Sequence, residues 1–227
     1  MTVSVVVPVY GPRHFLDACV VALSSTQAEQ AFELVLVNNG STALGLVPDA
    51  DAVLENGRNL GFAKACNQGA DNASGDVLVF LNVDTEVRDS WLAPLVAALS
   101  IPGIGIAGSR LVYPDGRIQH SGIAMSGLAA ENRHDEHPSG RVDAVTGACL
   151  AIRRDTFFDL GCFDEGYFCG NEDIDLCLTA REHGIGCWYC AGSVVMHHES
   201  ATGPERWSAL AANIERLHRK WASEGVR

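Results

Sequence analysis

Three short apolar runs, each followed by a stretch of helical periodicity, restrict this chain more than any other feature. Residues 3–9, 32–37 and 76–81 are rich in Val, Leu and Phe and show no regular polar alternation. Such runs mark strands covered on both faces. Behind the first, Pro12 opens a helix predicted over 12–24, with Phe15, Leu16, Cys19, Val20 and Leu23 at helical spacing. A short strand near 52–54, a helix ending near 72, a helix over 90–99 and a strand over 105–112 continue the pattern. Strands separated by helices in this rhythm predict an α/β fold, with a mostly parallel central sheet and helices on both faces. In such sheets ligands collect at the carboxyl ends of the strands. Polar loops fall at those ends, at 38–42, 58–61 and 82–84.

The second half is less regular. Pro114, Asp115 and Gly116 read as a hairpin turn. Residues 126–140 read as a polar loop, 142–152 as a strand and 173–183 as a helix closed by Gly184. A strand over 186–196 and an amphipathic helix over 204–222 complete the chain. No repeat, linker or composition shift divides it, so one α/β domain is expected.

Charge narrows the function. Sixteen Lys and Arg against 28 Asp and Glu leave −12 over 227 residues, with no basic run. That argues against gripping a nucleic-acid backbone by bulk charge. Any phosphate must instead meet a metal ion or backbone N–H groups. No stretch approaches the roughly 18–20 apolar residues that cross a bilayer. The first residues carry no basic segment, and Pro8 cuts the apolar run, so a first strand is read there rather than a signal peptide, and a cytoplasmic location is expected.

Eight cysteines raise the question of zinc. Cys187 and Cys190 have ligand spacing, but on a strand such positions point to opposite faces, and no second pair of this kind exists. They read as buried thiols.

Three other groups carry chemistry. Asp84 follows a buried strand, where a carboxylate can hold Mg²⁺ or Mn²⁺ bridging two phosphates. His197 follows the strand over 186–196, and imidazole suits Mn²⁺ as a second ligand. Glu172, Asp173 and Asp175 head the helix over 173–183. The helix dipole favours one acid there, and three exceed that need. Residues two apart diverge by about 200° around a helix. Asp173 is therefore placed at the pocket mouth and Asp175 against a neighbouring strand or loop.

In this order, these stretches resemble glycosyltransferase family 2, of the GT-A fold, and within it the bacterial rhamnosyltransferase-like members. The resemblance is carried by Val5-Val6-Val7-Pro8-Val9-Tyr10, Val37-Asn38-Asn39-Gly40-Ser41-Thr42, Asn59-Leu60-Gly61-Phe62-Ala63-Lys64 running to Gly69, and Phe80-Leu81-Asn82-Val83-Asp84-Thr85. Thr146-Gly147-Ala148 running to Arg154, Phe163-Asp164-Glu165, Glu172-Asp173-Ile174-Asp175-Leu176-Cys177 and His197-His198-Glu199-Ser200 complete it. It spans about residues 3 to 203 and leaves only the final helix outside.

The resemblance implies inverting transfer of a sugar from a nucleotide diphosphate, UDP- or dTDP-linked, to a hydroxyl of a glycan or lipid-linked acceptor in surface polysaccharide synthesis. It implies no nucleic-acid partner and no membrane span, and is compatible with peripheral contact at the inner face of the membrane. It divides the domain over 1–227 into a nucleotide-binding half (1–112), an acceptor and catalytic half (113–203) and a C-terminal helix (204–227). Pro8, Val9, Tyr10 and Asn38 would hold the nucleoside, with Asn59, Gly61 and Lys64 closing over it. Asp84, with Asn82 and Val83 before it, would bind a divalent metal (Mn²⁺ or Mg²⁺), with His197 as second ligand. Thr146, Gly147 and Ala148 would pass beneath the donor sugar. Asp173 would be the general base, with Glu172 and Asp175 orienting it or touching sugar hydroxyls. Apart from the resemblance, the loop over 126–140 is long for a compact domain and is expected to be mobile and to border the acceptor site, as lids do.

Two positions depart from the family pattern. Asn38 stands where Asp is frequent, and Asn82 stands in the first slot of the DxD motif. A nucleotidyltransferase making sugar nucleotides would share the sheet, but needs a Gly-rich basic loop after the first strand. Val9-Tyr10-Gly11-Pro12-Arg13 is too short and proline-broken for that. A non-catalytic sugar-nucleotide-binding module is opposed by the intact Glu172-Asp173 pair and His197.

Overall fold

Val3–Val9 forms β1, buried at every position. β2 (Glu33–Asn38) lies parallel on one side, with β3 (Ala52–Glu55) parallel beyond it. On the other side β4 (Val77–Leu81) is also parallel. This is a computed structural model describing residues 1–41, 44–199 and 205–222, with side chains of the last stretch from 209. Thr42, Ser200 and Pro204, named above, lie outside the described residues.

Past β4 the sheet changes sense. β11 (Cys149–Arg153) runs antiparallel between β4 and β6 (Ile104–Val112). β12 (Gly186–His197) is parallel to β6, and β10 (Gly140–Val142) closes that edge antiparallel. The carboxyl ends of β1, β2, β4, β6 and β12 thus share one edge of the sheet. β11, running the other way, starts from that same edge, immediately after Thr146-Gly147-Ala148.

Helices cover both faces, as expected. Val3, Val5, Val7 and Val9 pack with α1 (Arg13–Thr26) and α3 (Leu92–Ala98) on one side. Val6, Val35 and Val37 pack on the other with α2 (Phe62–Asn72), α4 (Arg154–Asp159) and α5 (Glu172–Glu182). Each such fully buried aliphatic side chain contributes about 1.5–3 kcal/mol. Cys187 belongs to the second of these cores and Cys190 to the first, so the two thiols sit on opposite faces of β12. α6 (Glu205–Trp221) lies outside α5, its Leu217 and Trp221 packed with Tyr167 and Leu178. Among the described residues, no helix is long and apolar enough to cross a membrane.

Two expectations need correction. The strand expected over 142–152 is two elements, because residues 143–148 leave the ladder between β10 and β11. Gly147 passes so close to Phe62 and Asp173 that a Cβ there would meet the Phe62 ring at 3.3 Å and the Asp173 Cβ at 3.5 Å. The polar loop over 126–140 contains a strand: β8 (Ile123–Ser126) and β9 (Ala129–Asn132) form a hairpin turned at Gly127, whose φ of 59° suits a two-residue loop. All four residues of β9 are exposed, so no alternation announced it. Two further short strands also lacked a pattern. β5 (Thr85–Val87) pairs with the end of β12, and β7 (Ile118–His120) pairs with the end of β6.

Candidate active site

β5 brings the two halves of the chain together. Its antiparallel pairing sets Thr85 opposite His197, and the His198 N–H donates to the Asp84 carbonyl at 3.0 Å. Asp84 and His197 are both buried, with His197 Nε2 3.3 Å from Asp84 Oδ1. The Asn82 amide nitrogen lies 3.3 Å from the same Nε2. The Asn82 N–H donates to the Ala148 carbonyl, and Thr85 Oγ1 donates to the Asn82 carbonyl, which fixes the turn that presents Asp84.

Gln119, absent from the residues singled out by sequence, sets the state of His197. Its amide nitrogen donates to the His197 carbonyl and to Glu199 Oε2, each at 3.3 Å. Its Oε1 therefore faces His197 Nδ1, at 2.7 Å, and can only accept. Nδ1 carries the proton, and Nε2 is left to face the Asp84 carboxylate. Protonation of Nε2 satisfies that pair, and so does a divalent cation in its place. One carboxylate oxygen and one imidazole nitrogen, buried and opening on a pocket, are a donor set that suits Mn²⁺ or Mg²⁺ completed by phosphate oxygens and water.

The pocket encloses about 150 Å³. Asn82, Asp84 and His197 line it together with Thr146, Gly147, Ala148, Glu172 and Asp173. These eight residues come from four separate segments of the chain. Asp173 is held by main-chain donors: the Gly147 N–H to Oδ2 and the Ile174 N–H to Oδ1, both at 2.8 Å. The turn before α5 is built on left-handed backbone at Gly170 and Asn171. α6 braces it, since the buried Asn213 amide donates to the Cys169 and Gly170 carbonyls at 2.8 and 2.9 Å.

Asp175 does not reach this pocket. It is buried against α6, rather than against a strand, and accepts from Trp221 Nε1 at 2.8 Å, Lys220 Nζ at 2.7 Å and Tyr167 Oη at 3.3 Å. Nearby, Asp164 pairs with Arg216 at 2.7 Å. Burial pushes the Asp164 carboxyl up, but the Gly166 N–H and the Arg216 guanidinium outweigh it and hold it below the usual range.

Pro8, Val9, Tyr10, Asn38, Asn59, Gly61, Lys64 and Val83 do not line the pocket. Asn38 and Asn59 shape loops at the same sheet edge. Asn38 donates to Glu55 at 2.7 Å and accepts from the Ser41 N–H at 3.0 Å. Asn59 Oδ1 accepts from the Gly61 N–H at 2.9 Å and from Asn39 at 3.0 Å. Gly61 adopts φ 91°, and a Cβ there would meet the Phe168 carbonyl at 2.5 Å, so that turn demands glycine. Lys64 is exposed beside Glu165, 3.7 Å away, and Val83 packs in the core.

Tyr113, His120, Asn132, His134 and Glu199 complete the wall beside Gln119. Tyr113 Oη donates to Glu199 at 2.9 Å. Burial pushes the His120 imidazole down to about 4, against an opposing hydrogen bond to the Asn132 side chain. Asn132 and His134 come from the segment over 126–140. Glu199 belongs to the His197-His198-Glu199 stretch singled out above, and Asn132 and His134 to the loop expected to border the acceptor. Tyr113 and His120 had no sequence signal, and the strand that carries His120 is too short to show a period.

The family model for glycosyl transferase family 2 matches residues 4–157. This chain belongs to that family. It is 33% identical, over 88% of its length, to the O-antigen biosynthesis protein RfbC of Myxococcus xanthus, of which it spans 17%. It is 28% identical, over 92% of its length, to N-acetylglucosaminyl-diphospho-decaprenol L-rhamnosyltransferase of Mycobacterium tuberculosis, of which it spans 80%. A crystal structure of GalNAc-T7 with UDP, GalNAc and Mn²⁺ superposes with a TM-score of 0.77 at 23% identity, over 96% of this chain and 48% of that one. The fold is therefore GT-A, as the motif order implied.

Proposed function

We propose that this family 2 chain transfers a sugar from a nucleotide diphosphate to a hydroxyl of a glycan or lipid-linked acceptor, with inversion at the anomeric carbon. The observation that carries the reading is the single pocket uniting the Asp84–His197 pair with the amide-oriented Asp173. The relatives support it, since the mycobacterial one is named for rhamnosyl transfer to a lipid diphosphate and GalNAc-T7 was crystallised with UDP and Mn²⁺.

Asp84 and His197 would hold a divalent cation, which when bound would supply charge neutralisation for the departing diphosphate. The acceptor oxygen attacks the anomeric carbon as the bond from that carbon to the diphosphate oxygen breaks. The leaving nucleotide takes the electron pair, and Asp173 takes the acceptor's proton. The Gly147 and Ile174 amides hold the carboxylate for that step, and Glu172 stands beside it. The end of β1 with Tyr10, the loop after β2 at 39–41 and the turn at 59–61 lie along the same sheet edge and would receive the nucleoside. Incubation with Mn²⁺, radiolabelled UDP- and dTDP-sugars and lipid-linked acceptors tests the reading. Label appearing in the acceptor with inverted configuration is expected. Nucleotide binding without transfer under any pairing would reduce the chain to a binding module.

A further inference from the structure

His120 stands in the wall of the pocket but belongs neither to the metal pair nor to the base. β7 sets it opposite Leu111 of β6, and it is 3% exposed. Its Nε2 is buried and has no hydrogen-bond partner. Buried polar atoms are nearly always satisfied, so an orphan in a pocket wall points to a partner that arrives with a ligand. The chemistry of that partner follows from the ring. The Asn132 side chain favours the charged form of the ring, as a group that accepts from an imidazole N–H does. The neutral ring then offers Nε2 as a lone pair, which only an O–H or N–H can meet.

We propose that His120 is a specificity residue whose Nε2 accepts a hydrogen bond from a ring hydroxyl of the sugar lodged beside Asp84, His197 and Asp173. The inference rests on the transferase reading. The hydroxyl belongs either to the donor sugar or to the terminal sugar of the acceptor, and the two are separable by experiment. A sugar lacking that hydroxyl would leave Nε2 buried and unpaired, which is how such a group discriminates.

The test is His120→Phe, with His120→Leu as a second variant. Both remove the orphaned atom, and the exposed Asn132 can turn to water. Calorimetry in Mn²⁺ compares UDP and dTDP with UDP-glucose, UDP-N-acetylglucosamine and dTDP-rhamnose, and transfer assays give the acceptor KM. Melting temperatures within a few degrees of the parent and unchanged affinity for the bare diphosphates are expected. A donor-sugar contact weakens sugar-nucleotide binding about tenfold, as one lost hydrogen bond does. An acceptor contact leaves donor affinity alone and raises acceptor KM about as much. Donor affinity and acceptor KM both at parental values would overturn the proposal. So would loss of folding and of bare diphosphate binding in both variants, which marks a structural histidine. If the parent protein binds no sugar nucleotide at all, the transferase reading itself falls, and this inference with it.

Discussion

His197 Nε2 faces Asp84 Oδ1 across 3.3 Å, although the two residues come from opposite halves of the chain. The ladder of β5 on β12 sets that distance, and the amide of Gln119 engages Nδ1, so that Nε2 is the nitrogen that faces the carboxylate. An acidic chain lacking a basic cluster must meet two phosphate charges in some such way.

Metal dependence follows. Asp84→Asn should weaken Mn²⁺-supported UDP or dTDP binding by roughly 100-fold, the loss of one ionic ligand. His197→Ala should weaken it less, since a neutral donor is removed. Calorimetry with Mn²⁺ and with EDTA measures both. Equal nucleotide affinity under the two conditions would refute the metal assignment.

Gln119→Leu keeps the bulk of the side chain but removes the acceptor that fixes the His197 tautomer. Losses of this kind run to about 10–100-fold in metal affinity. A Mn²⁺ titration followed by nucleotide binding should show the shift, while binding of nucleotide in EDTA stays unchanged. An unaltered Mn²⁺ midpoint would show that His197 needs no such support.

Asp175 ties α5 to α6. Asp175→Ala leaves Trp221 and the half-exposed Lys220 without their acceptor, and should cost about 3 kcal/mol of stability in urea unfolding. Mn²⁺-dependent nucleotide affinity of the folded variant should not change, because Asp175 lies off the pocket. A loss of affinity without a loss of stability would return Asp175 to the site.

The same junction predicts acid sensitivity. Asp164 has a folded pKa below its unfolded value, so its contribution is complete above about pH 4 and disappears as pH falls through the lowered folded value. Melting curves between pH 6 and 3 should show the parent losing more stability below pH 4 than Asp164→Asn. Parallel curves would deny the Arg216 pairing that role.

Much of this was legible in the sequence, and the rest was hidden for physical reasons. Long buried strands such as β1 and β4 declare themselves by composition, and the loops after them follow. Six of the eight residues that meet in the pocket flank strand ends, and Glu172 and Asp173 head a helix, places where the sequence marks its turns. β5, β7 and β9 span only three or four residues, too few for a period, yet they position Asp84, His120 and Asn132. Gln119 therefore went unnoticed. Asp175 was turned away from Asp173 by helix geometry, but two of its three partners, Lys220 and Trp221, lie on α6, which no motif covers.

The proposed base, Asp173, is the centre of the proposed mechanism. Asp173→Asn preserves size and can still accept from Gly147 and Ile174, but it cannot take the acceptor's proton. The decisive measurement is its turnover alongside its donor affinity, with the donor identified by the labelled panel. Turnover should fall about 10²–10⁴-fold while donor affinity stays within a few-fold. Turnover near that of the parent would contradict the assignment and transfer the role to Glu172.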